Sequence, residues 1–376
     1  MNCEYFGKCG SCTLHDLDYE AQKSFKLQEI KKLFEPFGVE GFGWHSSRPV
    51  HYRTRAEFVI WHDKEQISYA MHKSDKSGKL PIDKCLKVDE KIAALMPKLL
   101  AYIQNNPTLK EELFGVEFLS SVSDILVSLL YHKRLDGLWE GEAKECGERL
   151  SVKMIGRSKG VKIALNGDFV SETLNVEGKS YHYKIYEGSF SQPNRGVNEQ
   201  MISWVSKQVL LSKRRDLLEL YCGHGNFTIP LSLCFRSVLA TEISKASINA
   251  ARDNAAINAA SNITFVRLSA EELMEAMAGK REFFRLKDIE LSSYDFTHIL
   301  IDPPRAGLEP KSREFLRRFD NIIYISCNPH TLKSDLDELC KSHKIRSFAL
   351  FDQFPYTTHI ESGVILEKLN LNDCKI

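Results

Sequence analysis

From about Asp216 onward, short apolar runs alternate with stretches of helical pattern. Leu217-Leu218-Glu219-Leu220-Tyr221, Val238-Leu239-Ala240-Thr241, Ile263-Thr264-Phe265-Val266, His298-Ile299-Leu300-Ile301 and Ile322-Ile323-Tyr324-Ile325 read as strands, and their near-continuous apolar character places them in a parallel sheet covered on both faces. The C-terminal half is therefore expected to be a doubly wound, Rossmann-like α/β domain.

The first half has a different pattern. A cysteine-rich start leads into a predicted helix from Asp18 to Phe34, on which Leu27, Ile30 and Phe34 share one face. Strand-like pieces follow at Arg55 to Trp61, Ile125 to Tyr131 and Val161 to Leu165, with a helical stretch near Lys91 to Gln104. A smaller α+β domain fits, and no linker or repeat marks where it ends. The pattern alone sets the expected division at residues 1–185 and 186–376.

Composition excludes little and supports a soluble globular chain. With 51 basic and 50 acidic residues the net charge is +1, so a nucleic-acid partner would have to be held by local patches and not by a global field. No apolar run approaches the roughly 20 residues needed to cross a bilayer. The start, Met1-Asn2-Cys3-Glu4, lacks the features of a signal peptide, so a cytoplasmic protein with no membrane partner is expected. In that compartment the ten cysteines are thiols or metal ligands before they are disulfides.

After the first strand of the α/β half comes Cys222-Gly223-His224-Gly225-Asn226-Phe227. Glycines here let the backbone approach a ligand, and the carboxyl end of a strand is where open α/β sheets bind ligands. Glu242 ends the next strand, 19 residues after Gly223, where a carboxylate can accept both hydroxyls of a ribose. The turn is Gly-x-Gly, short of the full dinucleotide fingerprint, which favours adenosylmethionine over NAD.

Two further turns fall at the same sheet edge. Asp302-Pro303-Pro304-Arg305 follows the fourth strand as a rigid extended turn. Amino-group methyltransferases carry a similar turn with an aromatic residue in the place of Arg305, so the amine reading is weakened. The fifth strand runs into Ser326-Cys327-Asn328-Pro329, which puts a thiolate stabilised by local dipoles where it is accessible. Glu361 precedes an expected last strand, Gly363 to Glu367, and can point back into the pocket.

On these turns, together with His51-Tyr52-Arg53-Thr54-Arg55-Ala56-Glu57-Phe58, Leu130-Tyr131-His132-Lys133, Phe190-Ser191-Gln192-Pro193-Asn194, Phe284-Arg285-Leu286 and Leu350-Phe351-Asp352-Gln353-Phe354-Pro355-Tyr356, the chain resembles the uracil-C5 RNA methyltransferase family, and most of all its tRNA-modifying members. The resemblance implies a methyl group placed on carbon 5 of a uridine, uridine 54 of the tRNA T-loop, with Cys327 as the nucleophile that adds to carbon 6 and Glu361 as the base. A thiolate on carbon 6 makes carbon 5 an enolate carbon able to attack a sulfonium methyl, and a carboxylate then removes the carbon 5 proton. Cofactor contacts are implied for Gln192, Tyr221, Gly223, Asn226, Glu242 and Asp302, with Phe190 lining the pocket. Gln192 has no signal of its own and rests on the resemblance alone, whereas Cys327 and Glu361 rest on both. Residues 1–185 become an RNA-binding region and 186–376 the catalytic domain.

The opening departs from the tRNA enzymes. Cys3, Cys9 and Cys12, spaced C-x5-C-x2-C, with Cys85 as a distant fourth, resemble the [4Fe–4S] ligands of the related rRNA methyltransferases; the donor chemistry alone suits zinc equally. That likeness keeps 23S rRNA as an alternative substrate. A non-catalytic iron–sulfur RNA-binding protein would be expected to lack Cys327 or Glu361, and both are present. For RNA contact the candidates are Arg53, Arg55, His132-Lys133-Arg134, Arg157, Lys159 and Lys213-Arg214-Arg215, with Tyr52, Trp61 and Tyr131 as stacking surfaces. No obligate protein partner is implied.

Overall fold

Each of the five apolar runs read in the second half forms a strand, and so do the three pieces read in the first. The computed structural model describes residues 2–39, 41–209 and 215–369. In chain order the strands are β1 (Gly43–His45), β2 (Arg55–Asp63), β3 (Gln66–His72), β4 (Lys79–Ile82), β5 (Leu113–Ser120), β6 (Ile125–Tyr131), β7 (Lys153–Ser158), β8 (Val161–Leu165), β9 (Phe169–Val176), β10 (Lys179–Tyr186), β11 (Asp216–Leu220), β12 (Ser237–Thr241), β13 (Ile263–Val266), β14 (Phe296–Ile301), β15 (Asn321–Ser326), β16 (His343–Phe351) and β17 (Glu361–Lys368).

Eight of them form one sheet in the order β1-β16-β17-β15-β14-β11-β12-β13. The pairs from β15 through β14, β11 and β12 to β13 are parallel, while β17 runs antiparallel to both of its neighbours. This is the Rossmann-like arrangement expected. Because side chains alternate across a strand, each buried strand feeds two cores. Leu217, Val238, Leu300 and Ile323 face one core, shared with Met201, Ile202 and the β9–β10 hairpin residues Leu174 and Tyr183. Leu218, Leu239, Ile299 and Ile322 face the other, shared with Ile30, Phe34, Leu332 and Leu336.

A second sheet, in the order β4-β3-β2-β5-β6-β7-β8, is covered by the helices Glu90–Gln104 and Gly137–Leu150 and has its own core around Met96, Phe118 and Trp139. The helix Tyr19–Phe34 starts where Asp18 accepts the N–H of Ala21, and its buried residues are Gln22, Lys26, Ile30 and Phe34, one every four positions. Half of that stripe is polar, which an apolar pattern cannot reveal. This helix shares its core with the eight-stranded sheet, and β1 pairs in parallel with β16, so early residues complete the later sheet.

Candidate active site

The sheet order determines which side chains can meet. Tyr221 to Asn226, Glu242, Asp302 and Cys327 each follow the carboxyl end of a parallel strand, so they share one edge of the sheet. Glu361 arrives there from the opposite direction. Since β17 is antiparallel, its first residues lie beside the last of β15, with Ser362 opposite Ser326. Glu361 opens this strand, where the sequence reading had it just before, and its side chain is 4% exposed.

The turn after β11 is tight. Tyr221 (φ 61°), Gly223 (φ 54°) and Gly225 (φ 88°) all occupy the left-handed region, and a Cβ on Gly225 would meet Ile229 Cδ1 at 3.1 Å. Glu242 braces the turn, one carboxylate oxygen accepting the N–H of Gly223 at 3.3 Å and the other that of Ser244 at 2.8 Å. Asn226 is locked to Asn198 by reciprocal amide hydrogen bonds of 2.8 and 2.9 Å. Gln192 and Asn226 line the same small cavity, and the Gln192 side-chain oxygen accepts the amide of Gln353 at 2.8 Å. Phe190 is 70% exposed, free to cover whatever enters.

The electrostatics differ from expectation at Cys327. A stabilised thiolate is expected at the strand end, but burial pushes this thiol up to about 11, and the carboxyls of Glu361 and Asp302 act in the same direction; Arg305 opposes them. Burial likewise raises Glu361 to about 8, with Asp302 adding to it, and raises Asp302 itself to about 7. A third carboxyl went unrecognised in the sequence. Glu219, on β11, is 1% exposed, has one oxygen without a hydrogen-bond partner, and is raised to about 8 by burial and by Asp302. The signal was available: an acid inside an otherwise apolar strand.

Beside Cys327 a cavity of about 600 Å³ opens between the helices Tyr19–Phe34 and Pro329–Leu339. Its walls include Phe25, Leu33, Arg305, His330 and Lys333. The basic clusters marked in the sequence fare differently. The Tyr52 and Tyr131 rings are buried, 5% and 2% exposed, with hydroxyls donating to Pro355 and Leu109 carbonyls, so neither is a stacking surface. Aromatic rings filled the core here because one polar tip was enough to satisfy them. Trp61 is exposed. Arg55 donates to the Ser189 carbonyl, Arg157 pairs with Glu187, Lys133 with Glu111 and Arg215 with Asp295. Lys213 and Arg214 lie outside the described residues.

Cys3, Cys9, Cys12 and Cys85 share one neighbourhood: burial raises the thiols of Cys9 and Cys12, and Cys85 and Cys3 add to the effect in both cases. Among the described residues, however, no three His, Cys, Asp or Glu side chains are drawn together into a group able to hold a metal ion. No helix among the described residues is long and apolar enough to cross a membrane.

Comparison with known proteins identifies the family. A curated relative from Campylobacter concisus, described as tRNA/tmRNA (uracil-C(5))-methyltransferase, is 53% identical over 98% of this chain and 99% of its own length. One of the same description from Sulfurovum sp. is 49% identical over 98% of this chain and all of its own. Among solved structures, the Pyrococcus abyssi tRNA (uracil-54, C5)-methyltransferase in complex with S-adenosyl-L-homocysteine has the same fold, with a TM-score of 0.72 at 22% identity over 95% of this chain and 85% of that one. The family described as tRNA (Uracil-5-)-methyltransferase matches residues 18–369, and the chain belongs to it.

Proposed function

We propose that this protein transfers a methyl group from S-adenosylmethionine to carbon 5 of a uridine in tRNA, with uridine 54 of the T-loop as the target. The observation that carries this is the placement of Cys327 beside Glu361 at the sheet edge that also holds the glycine turn, a consequence of Ser326 facing Ser362 across β15 and β17. Residues up to 185 serve as the RNA-binding region and 186–376 as the catalytic domain, with the helix Tyr19–Phe34 and β1 contributed to the latter's sheet. The cytoplasm, where tRNA is found, is the proposed location.

The cofactor supplies an electrophilic methyl group when bound. Tyr221, Gly223 and Asn226 would line its site, Glu242 would accept the ribose hydroxyls, and Gln192 and Asp302 would complete the contacts. The buried carboxyls of Glu219, Asp302 and Glu361 answer its positive charge, which favours their ionised forms, lowers the cost of burying them and makes Glu361 available as a base. Cys327, on the wall of the open cavity, releases its proton to solvent, and its sulfur bonds to carbon 6 of uracil as the carbon 5–carbon 6 electron pair moves into an enolate. Carbon 5 then takes the methyl as the bond from that methyl to the cofactor's sulfur breaks, and S-adenosylhomocysteine leaves. Glu361 then accepts the carbon 5 proton, the sulfur–carbon bond breaks, and the ring double bond returns.

A base reached by Cys327 must leave its stack, which costs least in a loop. The cavity beside Cys327, with Arg305, His330 and Lys333 on its walls, suits an extruded nucleotide and its phosphates. For the cysteine quartet we propose a structural [4Fe–4S] cluster held by Cys3, Cys9, Cys12 and Cys85. Four thiols in one neighbourhood support it, although they would have to close up around the cluster.

The test is direct. Purified protein and labelled cofactor are incubated separately with tRNA, tmRNA and 23S rRNA transcripts and the labelled nucleotide is mapped. Label at uridine 54 of tRNA, lost in Cys327→Ala, is the expected result; label in rRNA alone, or undiminished labelling by Cys327→Ala, overturns the proposal.

A further inference from the structure

The segment from Asp352 to Ile360 leads directly into Glu361 and has no helix or strand of its own. Groups from the opposite end of the chain hold its shape. Lys26 and Asp352 are each 2% exposed and meet at 2.6 Å, and the Lys26 ammonium also donates to the Phe354 carbonyl at 3.2 Å. One step earlier on the same buried stripe, the side-chain oxygen of Gln22 accepts the backbone N–H of Tyr356 at 2.7 Å. The carbonyl of Tyr356 accepts the N–H groups of Thr13 and Leu14, at 2.9 and 3.1 Å. The hydroxyl of Tyr52 donates to the Pro355 carbonyl at 3.0 Å. Three consecutive residues, Phe354 to Tyr356, are thus tied through their main chain to residues 13–52.

The arrangement carries signs of imposed geometry. Tyr356 has φ 64°, a left-handed conformation that a bulky residue keeps only where its surroundings fix it, and its ring packs against Phe6 with centroids 5.6 Å apart. A buried Lys–Asp pair adds little net stability, since desolvating both charges offsets most of their attraction. What such a pair does provide is a single permitted arrangement. Leucine side chains in place of Lys26 and Asp352 would fill the same space had stability been the only requirement.

We infer that the N-terminal arm and the helix Tyr19–Phe34, through Gln22, Lys26 and the backbone of Thr13 and Leu14, position Glu361 for removal of the carbon 5 proton. This rests on the proposed function above. Gln22 and Lys26 are positioning residues that act through the turn at Phe354-Pro355-Tyr356. The arm that holds Tyr356 is also the arm that carries Cys9 and Cys12, so order at the cysteine quartet extends to the base.

Proton removal is the one step whose delay leaves a distinctive product. Until Glu361 takes the carbon 5 proton, sulfur cannot leave carbon 6, so a misplaced base leaves methylated RNA bonded to Cys327. Gln22→Leu, which strips the Tyr356 N–H of its acceptor, is expected to lower kcat by about 10- to 100-fold, as a displacement of around an ångström does. Cofactor affinity should stay unchanged, and unmodified tRNA should accumulate as a covalent complex on denaturing gels. Tyr52→Phe removes a single hydroxyl that donates to the same turn and folds without difficulty; it should show the same complex to a smaller extent. Glu361→Gln, run in parallel, should trap the complex fully. If Glu361→Gln traps it while Gln22→Leu and Tyr52→Phe turn over normally without any, the positioning role is wrong and the function stands. If Glu361→Gln traps none and turns over as the unaltered enzyme does, the base assignment falls and this inference with it.

Discussion

Replacing Glu361 by Gln keeps the side chain's shape and removes its charge, which makes its burial measurable. In the folded protein this carboxyl is 4% exposed and is raised from 4.5 to about 8 by burial, with the charge of Asp302 contributing. The unfolded chain gives up that proton near the ordinary value, and the folded protein keeps it. The folded pKa is the higher one, so this contribution to stability is complete below about pH 4.5 and is lost as pH rises through about 8. At about 1.4 kcal/mol for each unit of separation, the full loss is on the order of 5 kcal/mol. Asp302, raised to about 7, and Glu219, raised to about 8, slope the same way and remain in the variant. Urea denaturation of both proteins without cofactor, at about pH 5 and about pH 8, separates the shares. The Gln variant should lose clearly less stability over that interval and be the more stable of the two at the upper pH. Parallel losses in both proteins would refute the view that Glu361 is a neutral acid held in a dry site.

Two further outcomes are expected. A Cβ on Gly156 would sit 2.3 Å from the Trp139 ring and 2.6 Å from Leu135 Cδ1, inside the core of the seven-stranded sheet, so Gly156→Ala should cost about 1–3 kcal/mol by thermal denaturation; an unchanged melting temperature would mean that the Trp139 layer is looser than described. Protein purified without exposure to air should contain iron and inorganic sulfide and absorb visible light, and Cys12→Ser should lose all three; iron-free protein with full activity would leave the quartet as plain thiols.

Much of the site was legible in the order of residues along the chain. Strands buried on both faces must be apolar almost throughout, and Leu217 to Tyr221 or Ile322 to Ile325 satisfy that without reference to any partner. Ligands sit at the carboxyl ends of such strands, so Gly223, Glu242, Asp302 and Cys327 were placed at one edge from pattern alone. The helix read from Asp18 to Phe34 on the shared face of Leu27, Ile30 and Phe34 runs from Tyr19 to Phe34, with Asp18 as its cap. Gln192 carried no local signal, because a glutamine in a loop looks the same whether it faces a ligand or water.

Sequence by itself determined the parallel sheet, its ligand-binding edge and the chemical types gathered there, since these follow from short-range periodicity and turn chemistry. Only the tertiary structure decided three things. It put Glu361 next to Cys327, because strand direction in a sheet is set by long-range pairing and not by any local pattern. It turned the expected thiolate into a thiol, and made Glu219 a buried acid, because a pKa depends on desolvation and neighbouring charge. And it joined Gln22 and Lys26 to a turn more than 300 residues away, a contact that becomes visible only once the chain has closed on itself.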